Sequence, residues 1–167
     1  SRRVAKDGRL VDVLVTLSPI KSVNGEISSI SVVFHDITDR KRAENARSRL
    51  AAIVENSNDA IISRSLDRVI LTWNVAAERM FGWSAQEAVG RKIDIIVPPS
   101  RLGENAGYRE RIHRGESVPN YDTVRLAMDG RHIDVSISQS PIRNDRGEVV
   151  AASIIFRDIT ERKRAEQ

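Results

Sequence analysis

Apolar and polar residues alternate from Ile133 to Gln139, with Ile133, Val135 and Ile137 separated by Asp134, Ser136 and Ser138. A period of two is the mark of a strand with one covered face. The same rhythm occurs in Val11, Val13 and Val15, and the two stretches belong to a repeat. Positions 3–44 and 125–166 align at a constant offset of 122 residues without a gap, and 22 of the 42 pairs are identical. Both copies carry an Asp-Gly-Arg turn (Asp7-Gly8-Arg9 and Asp129-Gly130-Arg131), the alternating run, Ser-Pro-Ile and Gly-Glu. Both then run through a second apolar stretch into Asp-Ile-Thr and a charged segment free of Gly and Pro. Each copy therefore predicts strand, turn, strand, turn, strand and helix. The helix begins where Asp158 with Glu161, or Thr160 itself, can satisfy the free amides of its first turn.

The stretch between the copies, about 44–122, has no counterpart before the first copy, so the chain predicts the last third of one domain followed by a whole one. Ala43, Ala46, Leu50 and Ile53 are spaced 3, 4 and 3 apart, the rhythm of a coiled-coil seam, weak because two of its members are alanine. Positions 59–65 and 69–73 predict two short strands around Leu66-Asp67-Arg68. Asn74 should cap a helix through Phe81, and Ser84 with Glu87 forms a capping box for another ending at Gly90. An apolar run over 93–97 meets Pro98-Pro99, and Ser100 should cap a longer polar helix stopping at Gly115. Strands, then small helices, then strands define an α+β layout.

Composition narrows the chemistry. There is no Cys, which removes disulfides, thiolate metal sites and cysteine nucleophiles. Lys and Arg number 27 against 23 Asp and Glu, and the basic residues are interleaved with acids, as in Asp39-Arg40-Lys41-Arg42-Ala43-Glu44. That arrangement reads as a solvated helix face and not as a nucleic-acid surface. No apolar stretch approaches the roughly 18 residues of a membrane span. The chain starts at Ser1 with no leader-like segment, so it is read as a piece of a longer polypeptide. No group of residues meets the demands of nucleophile, base and orienting partner, so catalytic and metal-binding residues are not expected.

The run from Trp73 to Ser84 (Trp-Asn-Val-Ala-Ala-Glu-Arg-Met-Phe-Gly-Trp-Ser), with Glu87 and Gly90 after it, closely resembles the core signature of PAS domains. Asp129-Gly130, Ser140-Pro141-Ile142 and Asp158-Ile159-Thr160-Glu161-Arg162 resemble that family's C-terminal hairpin and exit motif. The resemblance implies a five-stranded antiparallel sheet with small helices on one face, enclosing a small pocket. It divides the chain into the C-terminal part of a first PAS domain (1–39), a linker helix (40–54), a complete PAS domain (55–160) and the start of a further connecting helix (161–167). Leu66-Asp67-Arg68 stands where the family often has a glycine.

By this resemblance the pocket is lined by Val135, Ile137 and Gln139 from one strand and by Ala152, Ile154 and Phe156 from the next, with Ile96, Ile112 and Tyr121 nearby. A packed core without a ligand would use the same apolar residues. Gln139 and Tyr121 discriminate, because a buried polar group must meet another, a water or a ligand. Oxygen-sensing PAS domains carry a haem-ligating His near 104–108, where this chain has Asn105, so haem is disfavoured. Flavin adducts need a cysteine, and no residue points to a noncovalent flavin. The cofactor is unknown and none is the expectation. His113 is expected to sit at the end of its helix.

The signal is expected to leave through Asp158, Ile159 and Thr160, and from the first copy through Asp36, Ile37 and Thr38. It would run to an effector domain of the same polypeptide, such as a histidine kinase or a cyclic-di-GMP enzyme. A ligand-sensing relay and a ligand-free dimerisation scaffold both fit, with a haem gas sensor more distant. The location expected is cytoplasmic, whether or not the parent is anchored in a membrane. The expected partners are a second copy of the chain and a small-molecule ligand. The homodimer would join through the helix seam and through the uncovered apolar residues of 1–39, among them Val11, Val13, Val15, Ile30, Val32 and Phe34.

Overall fold

The computed structural model describes residues 1–166. The described residues divide into two compact units, the first over 1–52 and the second from 53 onward.

The first unit holds three antiparallel strands in the order β1-β2-β3: β1 (Arg2–Val4), β2 (Leu10–Lys21) and β3 (Ile27–Asp36). The register sets Val15 opposite Phe34, Leu17 opposite Val32 and Pro19 opposite Ile30. Directly paired residues share a face, so one face of this sheet is apolar along its length. Val13 alone among the apolar residues of β2 and β3 is buried, and Phe34 remains 54% exposed. Helix α1 (Thr38–Glu55) follows, and none of its residues is buried within the chain.

The second unit is a five-stranded antiparallel sheet in the order β5-β4-β8-β7-β6, built from β4 (Ala60–Ser65), β5 (Ile70–Trp73), β6 (Val118–Leu126), β7 (His132–Arg143) and β8 (Val149–Asp158). Alternation decides which residues turn inward. Ala60, Ile62 and Arg64 of β4 are buried, as are Ile133, Val135, Ile137 and Gln139 of β7 and Ala152, Ile154 and Phe156 of β8. Over them lie α2 (Val75–Phe81), α3 (Ala85–Ala88), a 3-10 turn at Ile93–Ile96, another at Pro99–Arg101, and α4 (Ala106–His113). Phe81 sits edge-on to Phe156 at 5.3 Å between ring centres and tilted against Trp73 at 5.6 Å. These rings tie α2 to the sheet.

Asn74 fixes the geometry of the turn from β5 into α2. Its side-chain oxygen accepts from the Ala77 amide, capping α2, and from the Ile61 amide of β4, both at 3.0 Å. Its amide nitrogen donates to the Val54 and Asp59 carbonyls at 2.8 and 3.2 Å. All four bonds are made by one side chain that is 1% exposed. The capping box of Ser84 and Glu87 is present as expected. Backbone donation from Ser84, helped by its hydroxyl, holds the Glu87 carboxyl below its ordinary range. The Glu78 carboxylate accepts from the Ala85 amide at 2.7 Å and so joins α2 to α3.

Two local expectations are corrected, and the turn at Leu66-Asp67-Arg68 is defined. The polar helix begins at Ala106, not at Ser100, which lies in a 3-10 turn without a side-chain cap. Gly103 and Gly107 disfavour a continuous helix there. The exit helix α5 (Thr160–Ala165) has no Asp158–Glu161 box among the described residues; Asp158 accepts from the Thr160 amide at 2.8 Å. Finally, Arg68 adopts φ 71°, the left-handed conformation for which a glycine would be the ordinary occupant, and ion-pairs there with Asp94.

Replacing Asn74 by Ala should cost about 3 kcal/mol, because the helix cap is lost and buried backbone groups at Ile61, Val54 and Asp59 are left without partners. Urea denaturation followed by near-UV circular dichroism measures it, and a loss below about 1 kcal/mol would show that these groups find other partners.

Candidate functional site

A cavity of about 40 Å³ lies between the inner face of the second sheet and the segment 93–109. That volume holds a few water molecules. Its floor is apolar, made by Ile137, Ile154 and Phe156, and its neutral polar groups are Tyr121, Gln139 and Asn105. The register explains the floor: Tyr121 lies opposite Ile137, Ile137 opposite Phe156, and Gln139 opposite Ile154.

Tyr121 and Gln139 meet one another. The Gln139 amide donates to the Tyr121 hydroxyl at 3.0 Å, and that hydroxyl donates to the Asn105 side-chain oxygen at 3.4 Å. Tyr121 also stacks on Tyr108 of α4 at 4.4 Å between ring centres. Burial pushes the Tyr121 hydroxyl above its ordinary pKa, so it stays protonated as a donor at neutral pH.

Of the residues expected to line a pocket, Tyr121, Ile137, Gln139, Ile154 and Phe156 do so. Ile96 and Val135 are packed in the main core with Phe81 and Trp73, and Ile112 and Ala152 form a small separate cluster with Val118. Strand alternation identifies which residues face inward but not where the covering helices leave a gap. Asn105 is on the cavity wall and offers an amide.

Four arginines on the wall escaped the sequence reading. Arg64 and Arg125 are 3% and 2% exposed, and Arg68 and Arg109 complete the set. A signal for the first two was present, because Arg64 continues the inward phase of Ala60 and Ile62, and Arg125 that of Tyr121 and Thr123. Arg125 lies 3.7 Å from Glu104, which also pairs with Arg101 at 2.7 Å and accepts from the Thr123 hydroxyl at 3.0 Å. Among the described residues Arg64 donates only to the Ser65 carbonyl, at 3.2 Å. Burial foremost, then the charges of Arg68 and Arg109, lowers the pKa of Arg64 below the usual guanidinium value.

The exit motif has its own geometry, and it occurs twice. The Ile159 amide donates to the Asp134 carbonyl at 2.9 Å, and Lys163 of α5 pairs with the Asp134 carboxylate at 2.7 Å. In the first unit the Ile37 amide donates to the Asp12 carbonyl at 2.8 Å, and Lys41 of α1 pairs with Asp12 at 3.2 Å. The hydrogen bond from Lys41 leads in holding the Asp12 carboxyl below its ordinary pKa. Asp36 accepts from the Thr38 amide at 2.9 Å as Asp158 does from Thr160. In each unit one aspartate on the middle run of the repeat thus fastens the following helix by its first turn. The seam residues Ala43, Ala46, Leu50 and Ile53 all lie on α1, with Leu50 and Ile53 exposed.

Among the described residues no cluster of His, Asp and Glu could hold a metal ion, and no helix is long and apolar enough to cross a membrane.

A five-stranded antiparallel sheet in this order, with short helices over one face and a cavity beneath them, defines the PAS class of α+β domain. The PAS fold family matches residues 48–159, and a second PAS domain family matches residues 2–39. The chain belongs to the PAS family. It is 29% identical over 119 residues to the sensor protein FixL of Bradyrhizobium diazoefficiens, covering 69% of this chain and 23% of that protein. It is 28% identical over 145 residues to the signal transduction histidine-protein kinase AtoS of Escherichia coli, covering 86% of this chain and 23% of that one. The chain therefore spans about a quarter of the length of these relatives. Among solved structures, the PAS domain of a Colwellia psychrerythraea protein superposes with a TM-score of 0.63 at 23% identity, over 70% of this chain and 98% of that one.

If the cavity is open space, filling it should be tolerated, whereas overpacking a full core costs about 1 to 3 kcal/mol. Ile154→Phe is expected to change stability by less than about 1 kcal/mol, read from the thermal midpoint; a larger loss would show a closed core at this point.

Proposed function

We propose that the chain is a sensory and relay segment of a larger signalling polypeptide. The second unit takes a small ligand in its cavity and passes the change through Asp158, Ile159 and Thr160 into α5, towards an effector such as a histidine kinase. Catalysis belongs to that effector, not to these residues. The observation that carries the reading is the duplicated fastening of helix to sheet, Asp12 with Lys41 and Asp134 with Lys163. A strand displaced by a ligand beneath it would move the aspartate and, through it, the start of the helix. Relatedness to a sensor protein and to a signal transduction histidine-protein kinase supports the same reading.

The relay is tested by helix phase. In a chimera placing the chain ahead of the dimerisation and catalytic domains of a histidine kinase, one residue inserted after Glu44 turns the rest of α1 by about 100°, and seven nearly restore it. The one-residue insertion should change autophosphorylation and the seven-residue insertion should not. Equal output from both would refute the relay.

A ligand-free dimerisation scaffold is the second reading, favoured by the mutual satisfaction of Tyr121 and Gln139 and by the small cavity. Mass spectrometry of material released from the natively purified chain separates the two, since the sensor reading expects a stoichiometric small molecule. Under either reading the chain is proposed to form a homodimer. The exposed Leu50 and Ile53 of the α1 seam and the apolar face of Val15, Leu17, Val32 and Phe34 are its contact surfaces. Deleting residues 1–39 should weaken dimerisation without unfolding the second unit. Light scattering measures it, and a stable monomer for the whole chain at micromolar concentration would sink the proposal.

A further inference from the structure

The wall of the cavity carries more positive charge than its own carboxylates balance. Arg68 is paired with Asp94, and Arg125 shares Glu104 with Arg101. Arg64 and Arg109 have no ion pair among the described residues, although both line the cavity and Arg64 is 3% exposed. A buried guanidinium keeps its proton under almost any condition. Leaving it with a single carbonyl partner wastes the desolvation of up to four further N–H donors. Its neighbours worsen matters, since Arg68 and Arg109 both repel it. A protein selected only for a well-packed core would have an apolar residue at this inward position of β4, as at Ala60 and Ile62. The first unit supplies a contrast on the same face of the repeat: the position of Gln139 is occupied there by Leu17.

We infer that the cavity takes a small carboxylate, its anionic end held between Arg64 of β4 and Arg109 of α4 and its body lying on Ile154 and Phe156. A guanidinium fork matches a carboxylate in two parallel bonds. The floor excludes a ligand charged all round, and Tyr121 with Gln139 offers neutral groups to a polar far end. Because Arg109 stands on α4 and Arg64 on the sheet, the ligand joins a covering helix to the strands beneath it. This inference rests on the sensory reading of the second unit and names the chemistry of its ligand.

The test titrates acetate, butyrate, succinate and inorganic phosphate into the full chain at low chloride, by calorimetry and by the arginine Nε–Hε signals in NMR. Butyrate or succinate should bind saturably at one site, more tightly than acetate, and move the Arg64 and Arg109 signals. Arg64→Met should weaken that binding by about tenfold or more while raising the melting temperature of the ligand-free chain, since it removes an unpaired buried charge. An arginine of purely structural value would lower it. The inference fails if none of the carboxylates binds saturably, if phosphate binds as tightly as they do, or if Arg64→Met binds them as the parent chain does. It fails also if binding leaves the Arg64 signal unmoved in the unmutated chain, a readout independent of any variant's folding. A stoichiometric ligand of another class would remove this inference and leave the sensor reading standing. Carboxylate binding that never alters the output of the kinase chimera would do the reverse.

Discussion

The inner face of the antiparallel sheet must be taken out of water, and nearly everything in the second unit follows from how that is done. Five strands alternate, so every second residue of β4, β7 and β8 points to one side. The cover is a string of short helices, none of which would be stable alone. They are held by side chains that satisfy backbone ends: Asn74 at α2, Ser84 and Glu87 at α3, Glu78 across the gap between them. A cover made of many short pieces with separate caps does not close as tightly as one long helix, and the cavity lies where the 3-10 turns and the start of α4 leave the sheet.

The first unit shows the same strand pattern without the cover. Its register repeats that of the second unit position for position, with Val13, Val15 and Phe34 standing where Val135, Ile137 and Phe156 stand. The three-stranded sheet forms with the same pairing, yet most of the face that should be inside is exposed. Strand pairing and the Asp-Gly turns are local and survive; burial is not local and does not.

That contrast explains what could be read from residues alone. Strands, turns, the caps at Asn74 and Ser84 and the repeat were legible because each depends on residues a few positions apart. The left-handed Arg68 was not legible beyond the glycine missing from Leu66-Asp67-Arg68, since nothing in that triplet reveals that Asp94, distant in sequence, supplies a partner. The start of α4 was misplaced because Ser100 looks like a cap, while Gly103 and Gly107 weaken the helix after it. Four of the nine residues expected at the pocket stand away from the cavity for a geometric reason: Val135 and Ile154 have the same inward phase and share one core, and only the path of the covering segment also leaves Ile154 on the cavity wall. The arginines were overlooked because a charged residue is assumed to face water, even where its phase in β4 and β6 says otherwise.

The fastening of Asp134 to Ile159 and Lys163, repeated as Asp12 to Ile37 and Lys41, also bears on how such chains are assembled. Each copy contains both halves of its own clasp, strand and helix start, within about thirty residues, and depends on nothing upstream for it. A genetic duplication whose break falls anywhere in the polar helix after the clasp would therefore deliver a unit already able to set the heading of the helix that leaves it. Such units can be strung in series as interchangeable cassettes, and the constant offset of 122 residues between the two clasps is the length of one of them.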